Sequence, residues 1–343
     1  MSVTTDIIVT QQNHIGIMTL NRLQALNALT FPMIMTLQEQ LLKWKDDSSV
    51  QAVVIRSAGS KAFCAGGDVR FLYETRNDES KHQLVFFQEE YRLNQLIHDY
   101  PKPYIALMDG LTMGGGVGIS LHGSHPVASP AFVFAMPETG IGFFPDIGSS
   151  FLLSRCPGRM GVYLGLTGNR LNAQEACALG LVKYIIPGTA FDQIIDKLIQ
   201  MDLSYDADAK VSSCLTTASE PVRQDVIASL LANVNGCFDY PDVMSIFHAL
   251  AQHEDDWHRE VLSTLKQKSP LSLCITLNQL LKAAHLSFDN CIRMDYQLVQ
   301  HFMTDHDFYE GVRALLIDKD KSPQWRPASL SEIDDHLINR YFV

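Results

Sequence analysis

Gly110-Leu111-Thr112-Met113-Gly114-Gly115-Gly116-Val117-Gly118 follows an apolar run, Tyr104–Met108, and Met136-Pro137-Glu138 comes after one further strand-like stretch. The apolar run reads as a buried strand. Three consecutive glycines behind it free the backbone to turn sharply and let a ligand approach main-chain N–H groups. A helix is expected to start at once, which sets those N–H groups at the positive end of a helix dipole. Such a place can hold negative charge that develops on an oxygen. Glu138 then stands ready as a nucleophile or a base. The pattern outlines acyl-transfer chemistry without a serine or cysteine nucleophile.

The familiar glycine motifs do not fit. The dinucleotide fingerprint places Ile119 or Leu121 where its last glycine belongs. There is no Gly-Lys-Ser/Thr for a phosphate loop and no Gly-x-Ser-x-Gly elbow. A single glycine triplet would mean only a tight turn and close helix packing. A second glycine-rich loop changes that reading: strand Ala52–Ser57 leads into Ala58-Gly59-Ser60-Lys61-Ala62-Phe63-Cys64-Ala65-Gly66-Gly67-Asp68. A helix capped by Asp68 is expected next. Two such loops on neighbouring strands can aim N–H groups at one oxygen.

The run from Lys61 to Asp68, the triplet Gly114 to Gly116 with Gly118, and Met136-Pro137-Glu138 together resemble the crotonase (enoyl-CoA hydratase/isomerase) superfamily. That resemblance covers most of residues 10–190. It implies a spiral core of β-β-α turns that binds acyl-CoA and stabilises an oxyanion with two backbone N–H groups, here those of Ala65 and Gly115. Two departures point to a hydrolase branch. Gly118 stands where a hydratase has a glutamate, and Asp146 stands where it has a small residue. Phe86 to Tyr91 and Asp318 to Pro327 also resemble that branch. The implied reaction is hydrolysis of a short-chain 3-hydroxyacyl-CoA such as 3-hydroxyisobutyryl-CoA. Glu138 and Asp146 are its expected catalytic residues, and Glu90, Gly115, Glu138 and Asp146 the expected substrate contacts. No separate cofactor is implied, because CoA is part of the substrate. The alternatives are an enoyl-CoA hydratase or isomerase, which the missing glutamate at 118 disfavours, and a non-catalytic acyl-CoA-binding protein. The family also makes a homo-oligomer an open expectation.

With 343 residues, 46% of them hydrophobic, the chain has ample material for a full core and an accessory region. A net charge of −11 argues against a nucleic-acid or anionic-membrane surface. Seven cysteines, an odd number without Cys-x-x-Cys spacing, read as reduced thiols. Residues 1–6 lack signal or transit character, so a cytoplasmic location is expected. His253-Glu254-Asp255-Asp256-Trp257-His258 suggests a zinc helix, but histidines five apart diverge by about 140° on one helix. No metal is therefore expected.

Strands at 7–10, 15–20, 52–57 and 104–108 alternate with helices such as 31–44, the pattern of an α/β protein with mostly parallel pairing. Short strands are expected at 125–129, 132–136 and 182–186. From residue 191 the chain reads as helical, with helices at 191–201, 221–234, 242–253, 257–268 and 272–284. The division expected is a core over 1–190 and a helical C-terminal region over 191–343 packed on it.

The carboxylates have structural alternatives. Glu138 follows a proline and fits a turn. Asp146 precedes an apolar helix and fits an N-cap. Glu89 and Glu90 share the apolar face of a helix expected over 80–100, where an acid needs a partner or a function. Periodicity alone does not choose between those two; the resemblance selects Glu90.

Overall fold

The computed structural model describes residues 6–77 and 82–343. Residues 1–5 and the expected start of a helix at Ser80 lie outside the described residues. Contacts divide the chain into two compact units, neither continuous in sequence. The first comprises Met1–Gly67, Arg92–Phe134 and Leu171–Val226, and the second Asp68–Tyr91, Ala135–Arg170 and Ile227–Val343. This division does not fall at residue 190.

The first unit carries the strands: β1 (Ile7–Gln12), β2 (Ile15–Leu20), β3 (Ala52–Ser57), β4 (Ala62–Cys64), β5 (Tyr104–Met108), β6 (Leu111–Met113), β7 (His125–Ala128), β8 (Val133–Ala135), β9 (Leu171–Asn172) and β10 (Tyr184–Ile185). One sheet has the order β1-β2-β3-β5-β7-β10 and the other β4-β6-β8-β9. β2 is antiparallel to β1, and from β2 to β10 the large sheet is parallel. Parallel strands are covered on both faces. Accordingly every residue of β5, and every residue of β3 except Arg56, is buried.

Alternation along the strands sends Ile15, Ile17, Val54, Ile105, Leu107 and Val127 to one face. Helix Phe191–Gln200 covers it with Phe191, Ile194, Ile195 and Leu198, spaced as the stripe of an amphipathic helix. That helix ends where Met201 turns extended. A second helix, Ala207–Ala218, adds Val211 and Leu215. Its many small and polar residues gave no expectation of a helix. Helix Phe31–Asp46 is as expected: Thr30 caps it, accepting from the Met33 amide, and Met33, Ile34, Leu37, Leu41 and Trp44 are buried.

The second unit is helical. The expected helices appear as Ala228–Phe238, Val243–Ala251, Asp256–Lys266 and Pro270–Ala283. The last three start at Asp242, Asp255 and Ser269, each accepting from the amide three residues on. Helix Phe288–Phe302, capped by Ser287, was not anticipated. Phe87, Phe143, Phe302 and Phe308 form an aromatic cluster, with Phe87 stacked on Phe143 at 5.5 Å.

Leu198, on helix Phe191–Gln200, is fully buried against the large sheet. Leu198→Ala should cost about 2–5 kcal/mol of stability. Urea unfolding of the purified variant measures it, and an unchanged midpoint would contradict this packing.

Candidate active site

Strands β4 and β6 are parallel neighbours, so the two glycine-rich loops leave the small sheet side by side. Gly66 has a φ of +115°, and a Cβ placed there would lie 3.9 Å from the Gly115 nitrogen. At Gly116 an added Cβ would fall 2.3 Å from the Cys64 carbonyl oxygen. Only glycine at 116 lets the loops meet this closely. The helix that follows is a single turn, Gly115–Gly118. Its dipole is therefore a smaller asset than the sequence suggested.

One expected donor needs correction. The Ala65 N–H donates to the Leu26 carbonyl at 3.0 Å, and the Leu29 N–H donates to the Gly66 carbonyl at 2.8 Å. These bonds fasten the loop to residues 26–29 and leave the Ala65 N–H committed. Among the described residues no backbone carbonyl accepts from Gly66, Gly67 or Gly115. Those N–H groups, not that of Ala65, are the ones open to a ligand.

Gly118 lies against Asn94. A Cβ at 118 would sit 2.6 Å from the Asn94 amide nitrogen. Asn94 is fully buried, and among the described residues neither of its amide atoms has a hydrogen-bond partner. The space a glutamate would need at 118 is taken by that amide. Sequence reasoning passed Asn94 over.

The second unit gathers the carboxylates. Glu90, Glu138, Asp146 and Asp295 are all at most 6% exposed. Glu89 is only half-buried, whereas Glu90 is buried. Glu138 opens the short 3-10 turn Glu138–Ile141. That turn is held by the Phe143 N–H on the Glu138 carbonyl and by the Thr139 hydroxyl on the Leu166 carbonyl. Asp146 is not the side-chain cap that its position suggested. Gly148 occupies the N-cap of helix Ser149–Leu153, and Asp146 instead accepts from the Tyr91 hydroxyl at 2.7 Å.

Burial raises all four acids. Desolvation is the first cause for Glu138, with the charge of Asp146 second, and the same pair of causes raises Glu90. Desolvation lifts Asp146 to about 7, against the pull of the Tyr91 hydrogen bond. Asp295 is raised by burial although it accepts from the Gly148 N–H and the Gln279 amide, both at 2.7 Å. Gln279 also donates to the Pro145 carbonyl at 2.9 Å. Together these bonds brace the backbone on either side of Asp146, where Ile147 is held at a φ of +57°. A β-branched residue there carries strain of roughly 1–3 kcal/mol. Asp295 was legible only in retrospect: it sits on the buried stripe of its helix with Cys291, Leu298 and Phe302.

A cation completes the group. An added Cβ at Gly140 would lie 3.1 Å from Lys268 Nζ, and the charges of Lys268 and Glu138 offset part of each other's burial. Beside them Lys266, Lys268, Lys321 and Trp325 line a cavity of about 440 Å³. Lys321 and Trp325 belong to the Asp318-to-Pro327 segment noted in the sequence. Among the described residues, one Glu138 oxygen and one Glu90 oxygen are buried without a hydrogen-bond partner. Unsatisfied buried carboxylate oxygens are what a ligand's hydroxyl or a water would meet.

Open N–H groups on the glycine loops of the first unit, and buried acids with unpartnered oxygens in the second, each suit acyl-ester chemistry. Residues 15–342 match the family model described as enoyl-CoA hydratase/isomerase, and the chain belongs to that family. It is 40% identical over 330 residues to the mitochondrial 3-hydroxyisobutyryl-CoA hydrolase of Homo sapiens, covering 95% of this chain and 86% of that protein. The Danio rerio protein of the same name is also 40% identical, over 332 residues, again 95% and 86%. Among solved structures, a carnitinyl-CoA dehydratase from Mycobacterium thermoresistibile superposes with a TM-score of 0.92 at 35% identity, covering 99% of this chain and 97% of the other. An enoyl-CoA hydratase from Rhodobacter sphaeroides 2.4.1 gives 0.91 at 31%, with the same coverage. The crotonase-like α/β fold with a helical C-terminal region is thus as the sequence implied. The cytoplasmic expectation is overturned, since the similar hydrolases are mitochondrial proteins.

The Asp146 carboxyl binds its proton more tightly folded than unfolded, so the folded chain carries more protons between pH 3.8 and about 7. The stability this contributes is fully present below the lower value and lost as pH rises through the upper. Asp146→Asn removes that titration and keeps an acceptor for Tyr91. The variant should therefore gain stability relative to the native chain on going from about pH 5 to about pH 8. Denaturant midpoints at both pH values report this; parallel shifts in the two proteins would contradict it.

Proposed function

We propose that this protein hydrolyses the thioester of 3-hydroxyisobutyryl-CoA, or of a close short-chain 3-hydroxyacyl-CoA, to the free acid and CoA. The observation that carries the reading is the buried, partly unpartnered carboxylate of Glu138. The names of the similar hydrolases supply the substrate. Glu138 attacks the thioester carbonyl, or takes a proton from the water that does. In the first case CoA leaves as the thiolate, water opens the resulting anhydride on Glu138, and the proton that water gives up converts the thiolate to the thiol. The oxyanion is received by the Gly115 N–H and by a second N–H from Gly66 or Gly67. Asp146 and Glu90 hold the 3-hydroxyl, and Asp146 also orients water. Lys266 and Lys321 suit the phosphates of CoA, which enters as part of the substrate.

The solved structures named for dehydratase and hydratase chemistry raise a second reading, addition or removal of water across a double bond. Gly118 weighs against it. Syn addition in the family uses a second glutamate at this position, and here the space belongs to Asn94. Gly118→Glu should lower hydrolysis by pushing Asn94 aside, without making the protein an efficient hydratase. Rapid hydration of crotonyl-CoA by the native chain would reverse this assignment.

Release of free thiol, followed beside the absorbance of an enoyl-CoA, separates hydrolysis, hydration and simple binding. Glu138→Gln keeps the size of the side chain and removes its charge. Turnover should fall by at least about 10²-fold while CoA-ester binding, read by calorimetry, largely survives. Activity in the native protein should rise with pH along a limb displaced above the ordinary glutamate range, because burial raises Glu138. Near-native turnover in Glu138→Gln would sink both chemical routes.

A further inference from the structure

Three helices of the second unit bring their ends to one point. Cys237 lies in the last turn of Ala228–Phe238, His253 just beyond Val243–Ala251, and His258 in the first turn of Asp256–Lys266. The thiol sulfur and one ring nitrogen from each histidine all lie within 4.8 Å of one another. The two imidazoles are stacked, with centroids 4.0 Å apart and planes 15° from parallel. A divergence of about 140° between these histidines holds only within one continuous helix. The chain instead leaves one helix at Ala251 and starts another at Asp256, so the calculated divergence never applies.

Asp255 does two jobs at this junction. One oxygen caps the new helix by accepting from the His258 N–H, and the other accepts from His258 Nδ1 at 2.6 Å. That second bond fixes the orientation of the His258 ring. A carboxylate behind an imidazole is how metal-binding histidines are commonly oriented. Cys237 and His258 are buried, at 1% and 6% exposure, whereas His253 is exposed. The cluster is therefore closed on the protein side and open to solvent through one movable side chain.

We propose that Cys237, His253 and His258 form a binding site for a borderline-soft divalent ion of the zinc type. One thiolate and two imidazoles disfavour magnesium or calcium, which take oxygen ligands. Three protein ligands leave a fourth position for water or a small anion. Bonds of about 2.0–2.1 Å to nitrogen and about 2.3 Å to sulfur need ligand atoms gathered this closely around one point. The ion forms a sulfur–metal bond, the sulfur–hydrogen bond breaks, and the proton goes to solvent. No residue of the carboxylate group is involved.

The test uses the full-length chain, stripped with a chelator and titrated with cobalt(II) and then zinc(II) alone. The native protein should take up one ion per chain and show the near-ultraviolet thiolate-to-cobalt band, which zinc then displaces. Cys237→Ser should lose the band. His253→Ala, at an exposed position, should keep the fold and thioester hydrolysis and weaken binding at least about tenfold. Asp255→Asn keeps a good helix cap and should weaken binding by about 10–100-fold. Cobalt uptake without a thiolate band in the native chain, or native affinity in His253→Ala, would overturn the proposal.

Discussion

Keeping carboxyl groups away from water is the constraint around which the second unit is arranged. An isolated buried carboxylate is so costly that it takes up a proton unless hydrogen bonds or an opposing charge compensate. The four acids are compensated unequally. Asp295 has a main-chain N–H and an amide, Asp146 has a phenol, and Glu138 has a partly buried lysine nearby. Glu90 and Glu138 each keep an oxygen without a partner among the described residues. The best-satisfied acid is thus the one that supports, and the least satisfied are those left for a ligand. Asp295 and Gln279 hold residues 145 and 148, and so keep Ile147 strained and Asp146 in place.

The first unit obeys a different constraint, the close approach of two backbones. Gly116 can sit on the Cys64 carbonyl only because it has no side chain. Residues 26–29 then fasten the other loop through Ala65 and Gly66. This fastening decides which N–H groups remain open. It is long-range in sequence, which is why the choice of Ala65 failed while that of Gly115 stands unopposed. A motif shows that a loop supplies a donor; the partner of each N–H depends on what the loop is tied to.

The C-terminal helices show how pattern reading fails at junctions. Their apolar stripes were visible, and four of the five expected helices lie within a few residues of their expected ends. The Ala207–Ala218 helix escaped notice because its buried face is only two residues wide, and Phe288–Phe302 because its stripe includes an acid. At residues 253–258 the error was larger. The helix breaks between Ala251 and Asp256, so helical periodicity does not carry across and the two histidines are stacked.

Chemical identity was legible in the chain itself. Glycines at 114–116, glutamate at 138, aspartate at 146 and the missing glutamate at 118 are choices of side chain, and they name a family and disfavour hydratase chemistry without coordinates. Strand and helix periods, being local, were legible for the same reason. Only the tertiary structure decided which groups are dry, which are paired and which are left open. It buried Glu90 and left Glu89 half-exposed, gave Asp146 to Tyr91 and not to a helix end, brought in Asp295, and closed Ala65. Each of these depends on atoms far apart in sequence, because burial and hydrogen-bond satisfaction are properties of a packed neighbourhood and not of a segment.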